Sequence, residues 1–420
     1  MSSPDQSRAE DGREADETRE PAEAEEASGP SRLKMVGVNL ALVALSTVVA
    51  LLVAEMAVRV VAPQQLILIR PDVWQPADTV GWLHRPNVAT EINTGERTVH
   101  VYTDADGFRV GAEGRVEAGR EVLLLGDSFM EALQVEYEDS GAGLVERGLT
   151  SALGAPVAVR NAGIGGWDPD QYLLRARSLI PGGDFDAVIV AVYLGNDVLE
   201  RARDHVPPRQ PVRRYRLRLP RSLAAGELVD AFVRPINDAL EVRSHLFLFF
   251  KNRLQQLRMQ AGLAVLTFPS AFLEETASDG RWEVTAGLLT DLRDLAASHD
   301  VPTLFVLIPT PFQIDEADLR RYVEGYGLDP EAIDLEQPNR ILAAELEGAG
   351  IRVVDLLPDF RRAHADGVRL YGVVDQHFTP EGNRLFAERV IPAALDLLAE
   401  TTDAPGPAGS PTPLDGAPAR

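Results

Sequence analysis

Residues 121–129 read Glu-Val-Leu-Leu-Leu-Gly-Asp-Ser-Phe, a short apolar run that ends in a Gly-Asp-Ser turn. A run of this length that stops at a glycine is typical of a buried strand. In a parallel α/β sheet, sites form at the carboxyl ends of the strands. Ser128 would then present its hydroxyl to a cleft. Taken alone, such a turn is more often only a turn, so this interpretation depends on the rest of the chain.

Further strands and helices are indicated on the carboxyl side of this stretch. Together with Glu121–Leu125, the runs of strand length are Val157–Arg160, Ala187–Val192, Thr303–Ile308 and Ile351–Leu356, and helical spacing is found in Gln171–Ile180, Val284–Ala297 and Arg340–Glu347. Apolar strands that alternate with helices predict an α/β fold, with a parallel sheet covered on both faces. We expect a three-layer sheet of the flavodoxin type.

The amino-terminal part has a different composition. An acidic tail, residues 1–32, has no apolar periodicity and is predicted to be disordered. Met35–Ala54 is apolar for about twenty residues, enough to cross a bilayer, so residues 33–62 are predicted to be a transmembrane anchor. A buried core helix and a cleaved signal peptide are the alternatives. Arg32 and Lys34 precede the run, which favours a cytoplasmic amino terminus and an extracytoplasmic carboxyl-terminal domain.

The remaining boundaries follow from composition. Residues 63–110 are assigned to a linker and amino-terminal extension, residues 111–400 to the main domain with an insertion at about 201–279, and residues 401–420 to a disordered tail. The insertion contains an arginine run between residues 209 and 221 and the apolar segment Leu246–Phe250. The arginine run is interpreted as a solvated loop, with anionic lipid or polysaccharide as the alternative partner. Leu246–Phe250 is interpreted as a helix that packs on the domain, with membrane contact as the alternative.

Charge and composition exclude several classes of function. The formal net charge is −23, which disfavours a nucleic-acid partner because phosphate binding requires a basic face. The chain contains no cysteine, which removes disulfides and thiolate chemistry. The only lysines are Lys34 and Lys251, so no phosphate-binding loop of the G-x-x-x-x-G-K type exists. We expect neither a metal nor a cofactor.

Three further motifs follow the Gly-Asp-Ser turn in chain order. Asn161–Trp167 (NAGIGGW) comes after the second of these strands, Leu194–Asp197 (LGND) after the third, and Asp375–Gly382 (DQHFTPEG) before the last helix. With these four blocks, the chain resembles the SGNH (GDSL) hydrolase superfamily over about residues 107–400. The segment Gly107-Phe108-Arg109 is similar to exported, membrane-anchored members.

The resemblance implies a role for each motif. Ser128 would be the nucleophile and His377 its base, with Asp375 orienting the imidazole. The backbone N–H groups of Ser128 and Gly166 and the side-chain amide of Asn196 would form the oxyanion hole. From the residues alone, Gly166 could be a turn glycine, and Asn196 and His377 could be helix caps. Trp167 could stack on a sugar, although covering the core is the commoner role.

Two departures from the family pattern bear on the reaction. Asp375 and His377 are separated by one residue instead of two, which is similar to polysaccharide O-acetyltransferases such as the alginate enzymes, where the pair precedes the serine. Met130 replaces the final glycine of G-x-S-x-G, which argues against the α/β-hydrolase elbow.

The expected protein is a membrane-anchored serine esterase that acts on acylated envelope carbohydrate or lipid. An O-acetyltransferase on the same fold and an inactive envelope binding protein remain the alternatives.

Overall fold

The structure is a computed structural model that describes residues 32–61, 72–94, 97–199, 201–203, 205, 236, 240, 243–260, 268–372 and 376–403. The acidic tail 1–31, the arginine run, most of the insertion, Asp375 and the tail from residue 404 lie outside the described residues. The chain divides into two units, residues 1–54 and 55–420.

Helix α1, Arg32–Val61, contains the apolar run predicted to cross a membrane. Within the described residues it is the one helix long and apolar enough to do so: its candidate span is Met35–Val61, and an 18-residue window in that span has a mean hydropathy of 2.5. None of that span is buried, which does not fit the alternative of a core helix. The predicted apolar helix is therefore present as a candidate anchor.

Ten strands are described in the second unit. They are β1 Trp74–Ala77, β2 Gly81–His84, β3 Ala89–Asn93, β4 Thr98–Thr103, β5 Arg109–Val110, β6 Arg120–Leu125, β7 Val157–Asn161, β8 Ala187–Tyr193, β9 Thr303–Ile308 and β10 Val353–Asp355. Eight of them form one sheet in the order β10-β9-β8-β6-β7-β5-β4-β3.

The five strands from β6 to β10 are parallel to one another, and their order in the sheet, β7-β6-β8-β9-β10, is the flavodoxin-like order. The predicted α/β fold is confirmed, and each predicted strand lies in this part of the sheet. The chain reverses its direction across the sheet between β6 and β8, which is where open α/β sheets bind their ligands.

The strands before β6 were not predicted. β3, β4 and β5 extend the sheet in antiparallel fashion beyond β7, and β1 pairs with β2 in a separate hairpin. The sheet is thus mixed, not wholly parallel. Strand β4, Thr-Val-His-Val-Tyr-Thr, shows why the sequence did not indicate them. It alternates exposed and buried residues and lacks the continuous apolar run of a strand that is buried on both faces.

The helices of the second unit connect these strands. They are α2 Ser128–Glu131, α3 Gly141–Leu153, α4 Pro169–Leu179, α5 His245–Gln260, α6 Arg281–Ala297, α7 Pro311–Ile314, α8 Glu316–Tyr326, α9 Gln337–Gly348, α10 Leu357–Ala365 and α11 Pro380–Asp403. The three predicted helices correspond to α4, α6 and α9. Each begins a few residues before the predicted start, and α4 does so because Asp168 and Pro169 begin it as cap and first residue.

Two hydrophobic clusters lie on opposite faces of the sheet and complete the three layers. Leu123 and Leu125 of β6 pack with residues of α4, α6 and α9, whereas Val122 and Leu124 pack with residues of α3, α10 and α11. Successive residues of β6 therefore serve different layers, as the two-residue period of a strand requires. Both faces are covered, so the carboxyl edge of the sheet is left for a site.

Candidate active site

Ser128 is the first residue of α2, a helix of only four residues directly after β6. The carboxylate of Asp127 caps this helix by accepting a hydrogen bond from the backbone N–H of Phe129 at 2.9 Å. Ala132 ends it in the left-handed conformation, at a φ of 52°. The serine is half-buried, whereas Phe129, Met130 and Glu131 are buried. The turn thus leaves the Ser128 side chain open while its neighbours hold the backbone in place.

A buried arginine and an asparagine hold the carbonyl end of this turn. The Arg109 guanidinium donates to the carbonyl oxygens of Glu131 and Ala132, both at 2.5 Å, and to that of Val135 at 2.6 Å. The Asn161 amide donates to the carbonyl of Met130 at 2.7 Å.

Arg109 and Asn161 are also partners across the antiparallel pair of β5 and β7. Burial lowers the pKa of Arg109 to about 10, so the group remains charged at neutral pH. The sequence pointed to Arg109 only through the Gly-Phe-Arg segment and gave it no role.

Glu131, at the end of α2, joins the nucleophile turn to the β1–β2 hairpin. Trp74 Nε1 donates to Glu131 Oε1 at 2.8 Å, and His84 Nε2 lies 2.7 Å from the same oxygen. All three side chains are buried. From the same hairpin, Trp82 Nε1 donates to the carbonyl of Gly165 at 3.0 Å. Sequence reasoning missed this group, although two tryptophans and a histidine within eleven residues were a usable signal.

His377 meets Ser128 across 249 residues of chain. Its Nε2 lies 2.8 Å from Ser128 Oγ, within hydrogen-bond distance. The histidine carbonyl accepts from the N–H of Gly372 at 2.8 Å, and Gln376, just before it, has a φ of 59°. The Thr379 hydroxyl, not the imidazole, caps the first turn of α11. The alternative interpretation of His377 as a helix cap is therefore wrong.

An aromatic cluster sets the position of the imidazole from the nucleophile side. The ring of Phe129 lies 5.0 Å from the His377 ring, 4.7 Å from that of Phe378 and 4.3 Å from that of Tyr193, measured between centroids. Phe129 follows the nucleophile directly, so one residue couples the serine turn to the histidine loop. The sequence gave no indication of this contact.

The glycine-rich loop after β7 passes close to the nucleophile turn. A Cβ on Gly163 would lie 2.7 Å from the Glu131 nitrogen, and one on Gly165 would lie 3.7 Å from Ser128 Cβ. Gly166 has a φ of 75°, a conformation that favours glycine. The loop can approach this closely because Gly163 and Gly165 have no side chain, and it brings Gly166 to within one residue of the contact with Ser128.

Asn196 and Asp197 follow β8, the strand hydrogen-bonded to β6, so both lie at the edge of the sheet that carries Ser128. Asn196 is exposed, whereas Asp197 is buried and builds the turn. Its Oδ2 accepts hydrogen bonds from the hydroxyl of Tyr172 at 2.8 Å and from the N–H of Tyr193 at 2.9 Å. The amide is thereby left on the open side of the turn.

Two buried carboxyl groups flank the site. Burial raises the pKa of Asp127 to about 6, and the negative charge of Glu131 adds to this rise. Burial also raises the pKa of Asp197 well above its ordinary value, and the negative charge of Asp127 adds to that rise. Both groups therefore favour the protonated form more than an exposed carboxyl does. A charge on His377 opposes this effect at Asp127, because it favours the ionised carboxylate.

The structure thus brings some of the predicted residues together. Ser128 and His377 are in contact, the loop that contains Gly166 lies beside Ser128, and Asn196 is at the same edge of the sheet. Asp375 lies outside the described residues. Trp167 is fully buried in the core, as its commoner interpretation predicted, so it does not offer a stacking surface. Among the described residues, no cluster of three or more His, Asp or Glu side chains could hold a metal ion.

A family model matches part of the chain. Residues 267–407 match the family described as an SGNH hydrolase-like domain of the acetyltransferase AlgX. The matched region contains His377 but not Ser128. The predicted resemblance to the SGNH superfamily, with similarity to an acetyltransferase, is confirmed by this match.

The chain is also distantly similar to several solved structures. TesA is 14% identical with a TM-score of 0.35, covering 66% of this chain and 99% of its own. An acetyl-xylooligosaccharide esterase from Geobacillus is 12% identical with a TM-score of 0.36, covering 67% and 95%. The acetyl xylan esterase AlAXEase is 13% identical with a TM-score of 0.36, covering 65% and 98%. No curated protein matches the chain. The assignment of the fold rests on the strand order and on the family match.

Proposed function

We propose that the protein is a membrane-anchored serine esterase or O-acyltransferase that works through an acyl-Ser128 intermediate. The observation that carries this proposal is the 2.8 Å separation of Ser128 Oγ and His377 Nε2. A serine hydroxyl becomes an effective nucleophile when a neighbouring base removes its proton during attack. The contact lies at the switch point of the sheet, where ligands of this architecture bind.

The first half of the reaction transfers the acyl group to the enzyme. Ser128 Oγ attacks the ester carbonyl and gives its proton to His377 Nε2. The carbonyl oxygen becomes an oxyanion, which the N–H groups of Ser128 and Gly166 and the amide of Asn196 stabilise. The tetrahedral intermediate collapses, the ester C–O bond breaks, and His377 returns the proton to the leaving alcohol. Asp375, if it contacts the second ring nitrogen, stabilises the charged imidazole.

The second half depends on the acceptor. When water gives its proton to His377 and attacks the acyl group, the carboxylic acid is released and the protein is an esterase. When a sugar hydroxyl attacks in the same way, a new ester forms and the protein is an O-acetyltransferase. The match to the acetyltransferase family supports the second reaction. The spacing of Asp375 and His377, which is similar to that of polysaccharide O-acetyltransferases, supports an acylated carbohydrate as substrate. A lipid ester is the other substrate class that a membrane anchor would favour.

The decisive experiment separates an enzyme from a binding protein that has kept the fold. We expect the full chain, in mild detergent, to hydrolyse p-nitrophenyl acetate and to be labelled covalently by a fluorophosphonate. The Ser128→Ala variant should lose the labelling and about 10⁴-fold or more of the activity, as in other serine hydrolases. A matched control is Ser178→Ala, an exposed serine of α4, which should change neither.

Either of two results would reject the mechanism: activity unchanged in Ser128→Ala, or labelling at another serine. Absence of both activity and labelling in the native chain would favour the binding protein. Esterase and transferase are then distinguished by adding an acetylated donor with an acceptor oligosaccharide and analysing the products by mass spectrometry. A product heavier by one acetyl group identifies the transferase.

The proposed topology has a cytoplasmic amino terminus and an extracytoplasmic catalytic domain. It is supported by the basic residues Arg32 and Lys34 before the apolar run. Because the chain contains no cysteine, one introduced cysteine at Ser178 can be tested alone. A membrane-impermeant maleimide should label it in cells whose cytoplasmic membrane is intact. Labelling only after that membrane is lysed would reverse the orientation.

A further inference from the structure

Helix α5, His245–Gln260, carries an apolar stripe on its exposed side. Phe250, Leu254 and Leu257 are 63%, 59% and 61% exposed, whereas Leu248 is 8% exposed. Residues spaced by three and four lie on one face of a helix, and Leu248 lies on the opposite face. Single exposed apolar residues are ordinary on protein surfaces, but three large ones on one helix face mark a contact surface.

The charge of α5 is opposite in sign to the net charge of the protein. Its sixteen residues contain one lysine, two arginines and no acidic residue, in a chain whose net charge is −23. Lys251 and Arg253 lie on the two sides of the stripe, since they are one and three residues after Phe250. The Lys251 ammonium lies 5.9 Å from the ring of Phe247, and the Arg253 guanidinium the same distance from that of Phe249. An apolar stripe between cations is typical of a helix that lies in a membrane interface.

The amino-terminal end of α5 is bound to the last turns of α1. The Glu55 carboxylate accepts hydrogen bonds from the Ser244 hydroxyl at 2.7 Å, the His245 N–H at 2.9 Å and the Leu246 N–H at 3.0 Å. Arg59, which is paired with Glu55, donates to the carbonyl of Arg243 at 2.7 Å. Glu55 therefore acts as the cap of α5, although almost two hundred residues separate them.

The position of Glu55 in the sequence determines where α5 begins relative to a bilayer. It is the first charged residue after Met35–Ala54, whose twenty residues span the hydrocarbon layer at ~1.5 Å per residue. A carboxylate at this point belongs at the boundary between acyl chains and headgroups. A helix that Glu55 caps must start at the same boundary.

We infer that α5 lies on the bilayer surface, with Phe250, Leu254 and Leu257 in the acyl-chain boundary and Lys251 and Arg253 at anionic headgroups. This inference rests on the proposed membrane anchor and adds a second membrane contact to it. A single helix leaves a domain free to tilt, whereas two contacts restrict the orientation of the domain over the membrane. The height and direction of the active site relative to the bilayer surface would then be restricted as well.

The test uses the full chain in vesicles of equal parts phosphatidylcholine and phosphatidylglycerol. Single cysteines at Leu254, at Val48 within the apolar run and at Ser178 on the exposed surface of α4 each carry an environment-sensitive fluorophore. Nitroxide-labelled lipids should quench the labels at Leu254 and Val48, each at least about threefold more strongly than the label at Ser178. Labels at Phe250 and Leu257 should behave like the one at Leu254, and hydrolysis of p-nitrophenyl acetate should be unchanged in all of them.

Three results would overturn the inference. If iodide in the water quenches the Leu254 label as strongly as the Ser178 label, α5 is exposed to water. If neither iodide nor the nitroxide lipids quench it, a protein surface covers α5 instead of lipid. If the Val48 label also escapes the nitroxide lipids, the anchor itself is wrong, and this outcome is distinguishable from a failure of α5 alone, in which the Val48 label remains quenched.

Discussion

The nucleophile turn and helix α5 belong to the same unit of the chain and are stabilised in opposite ways. In the four residues of α2, every side chain after the serine is buried, and Arg109 and Asn161 bind the carbonyl oxygens that follow. Helix α5 leaves Phe250, Leu254 and Leu257 exposed, and a distant glutamate caps it. The first region is held by the protein interior, and the second presents a surface that no residue in the described part of the chain covers.

The hydrogen bonds of the two regions have different roles. At the nucleophile turn, hydrogen bonds inside the core keep catalytic atoms within the small tolerance that a reaction requires. At α5, the hydrogen bonds of Glu55 fix only where the helix begins. The exposed apolar stripe of α5 can then be buried in a lipid bilayer. Mutations should therefore affect activity and stability strongly in the first region and weakly in the second.

The largest of these effects is expected at Arg109. Replacing it in Arg109→Met leaves three buried carbonyl oxygens without their donor, which should lower the free energy of unfolding by about 3–5 kcal/mol. The fraction that still folds should react more slowly with fluorophosphonate, because the turn that presents Ser128 is no longer held. Urea denaturation of the full chain in detergent measures the first effect. Arg177→Met, an exposed arginine of α4, is the control and should change stability by less than about 0.5 kcal/mol.

A change of similar size, but in the activation free energy of the reaction and not in the free energy of unfolding, is expected at Asn196. Asn196→Ala should lower kcat for p-nitrophenyl acetate by about 10²–10³-fold, or roughly 3–4 kcal/mol, because one oxyanion donor is lost. Stability should not change, since the side chain is exposed. Asn196→Asp keeps the shape but removes the donor, and it should lose at least as much activity. Activity retained in both variants would remove Asn196 from the oxyanion hole.

A smaller effect that depends on pH is expected at Asp127. Burial raises its folded pKa to about 6 from an ordinary value of 3.8. The folded state therefore binds the proton more tightly than the unfolded state, and this contribution to stability is complete below pH 3.8 and is lost as the pH rises through 6.

Asp127→Asn keeps the cap and abolishes this titration. Relative to the variant, the native chain should lose on the order of 2 kcal/mol of stability between about pH 4 and about pH 7. Thermal denaturation across this range measures the difference. A constant difference between the two proteins would show that the buried carboxyl does not titrate as its surroundings imply.

The smallest effect is expected on α5. Leu254→Ala should change the free energy of unfolding in detergent by less than about 0.5 kcal/mol, because most of the side chain is already exposed in the folded protein. Leu149→Ala, at a fully buried position of α3, should cost about 2–5 kcal/mol and serves as the comparison. If the two substitutions cost the same, Leu254 is packed in the native protein and the contrast between the two regions disappears.

The amino-acid sequence by itself determined those parts of the protein that have a local signature. The runs that became β6, β8 and β9 are continuous and apolar, because strands covered on both faces need no polar side. The positions of Ser128, Asn196 and the glycine loop at the ends of such strands followed from the same pattern. The strands of residues 74–110 were not predicted from the sequence. Half-exposed strands such as β4 lack a continuous apolar run, and β5, with two residues, is too short to show a hydrophobic pattern.

Only the tertiary structure decided which distant groups meet. His377 contacts Ser128, which lies 249 residues away in the chain. Arg109 donates to backbone carbonyl oxygens, and no sequence pattern identifies these acceptors because every residue has one. Glu55 likewise caps a helix that begins nearly two hundred residues later. These contacts depend on strand register and on the packing of whole layers. The physical reason is that closing so long a loop costs conformational entropy that local contacts cannot repay, so only the complete fold determines the pairing.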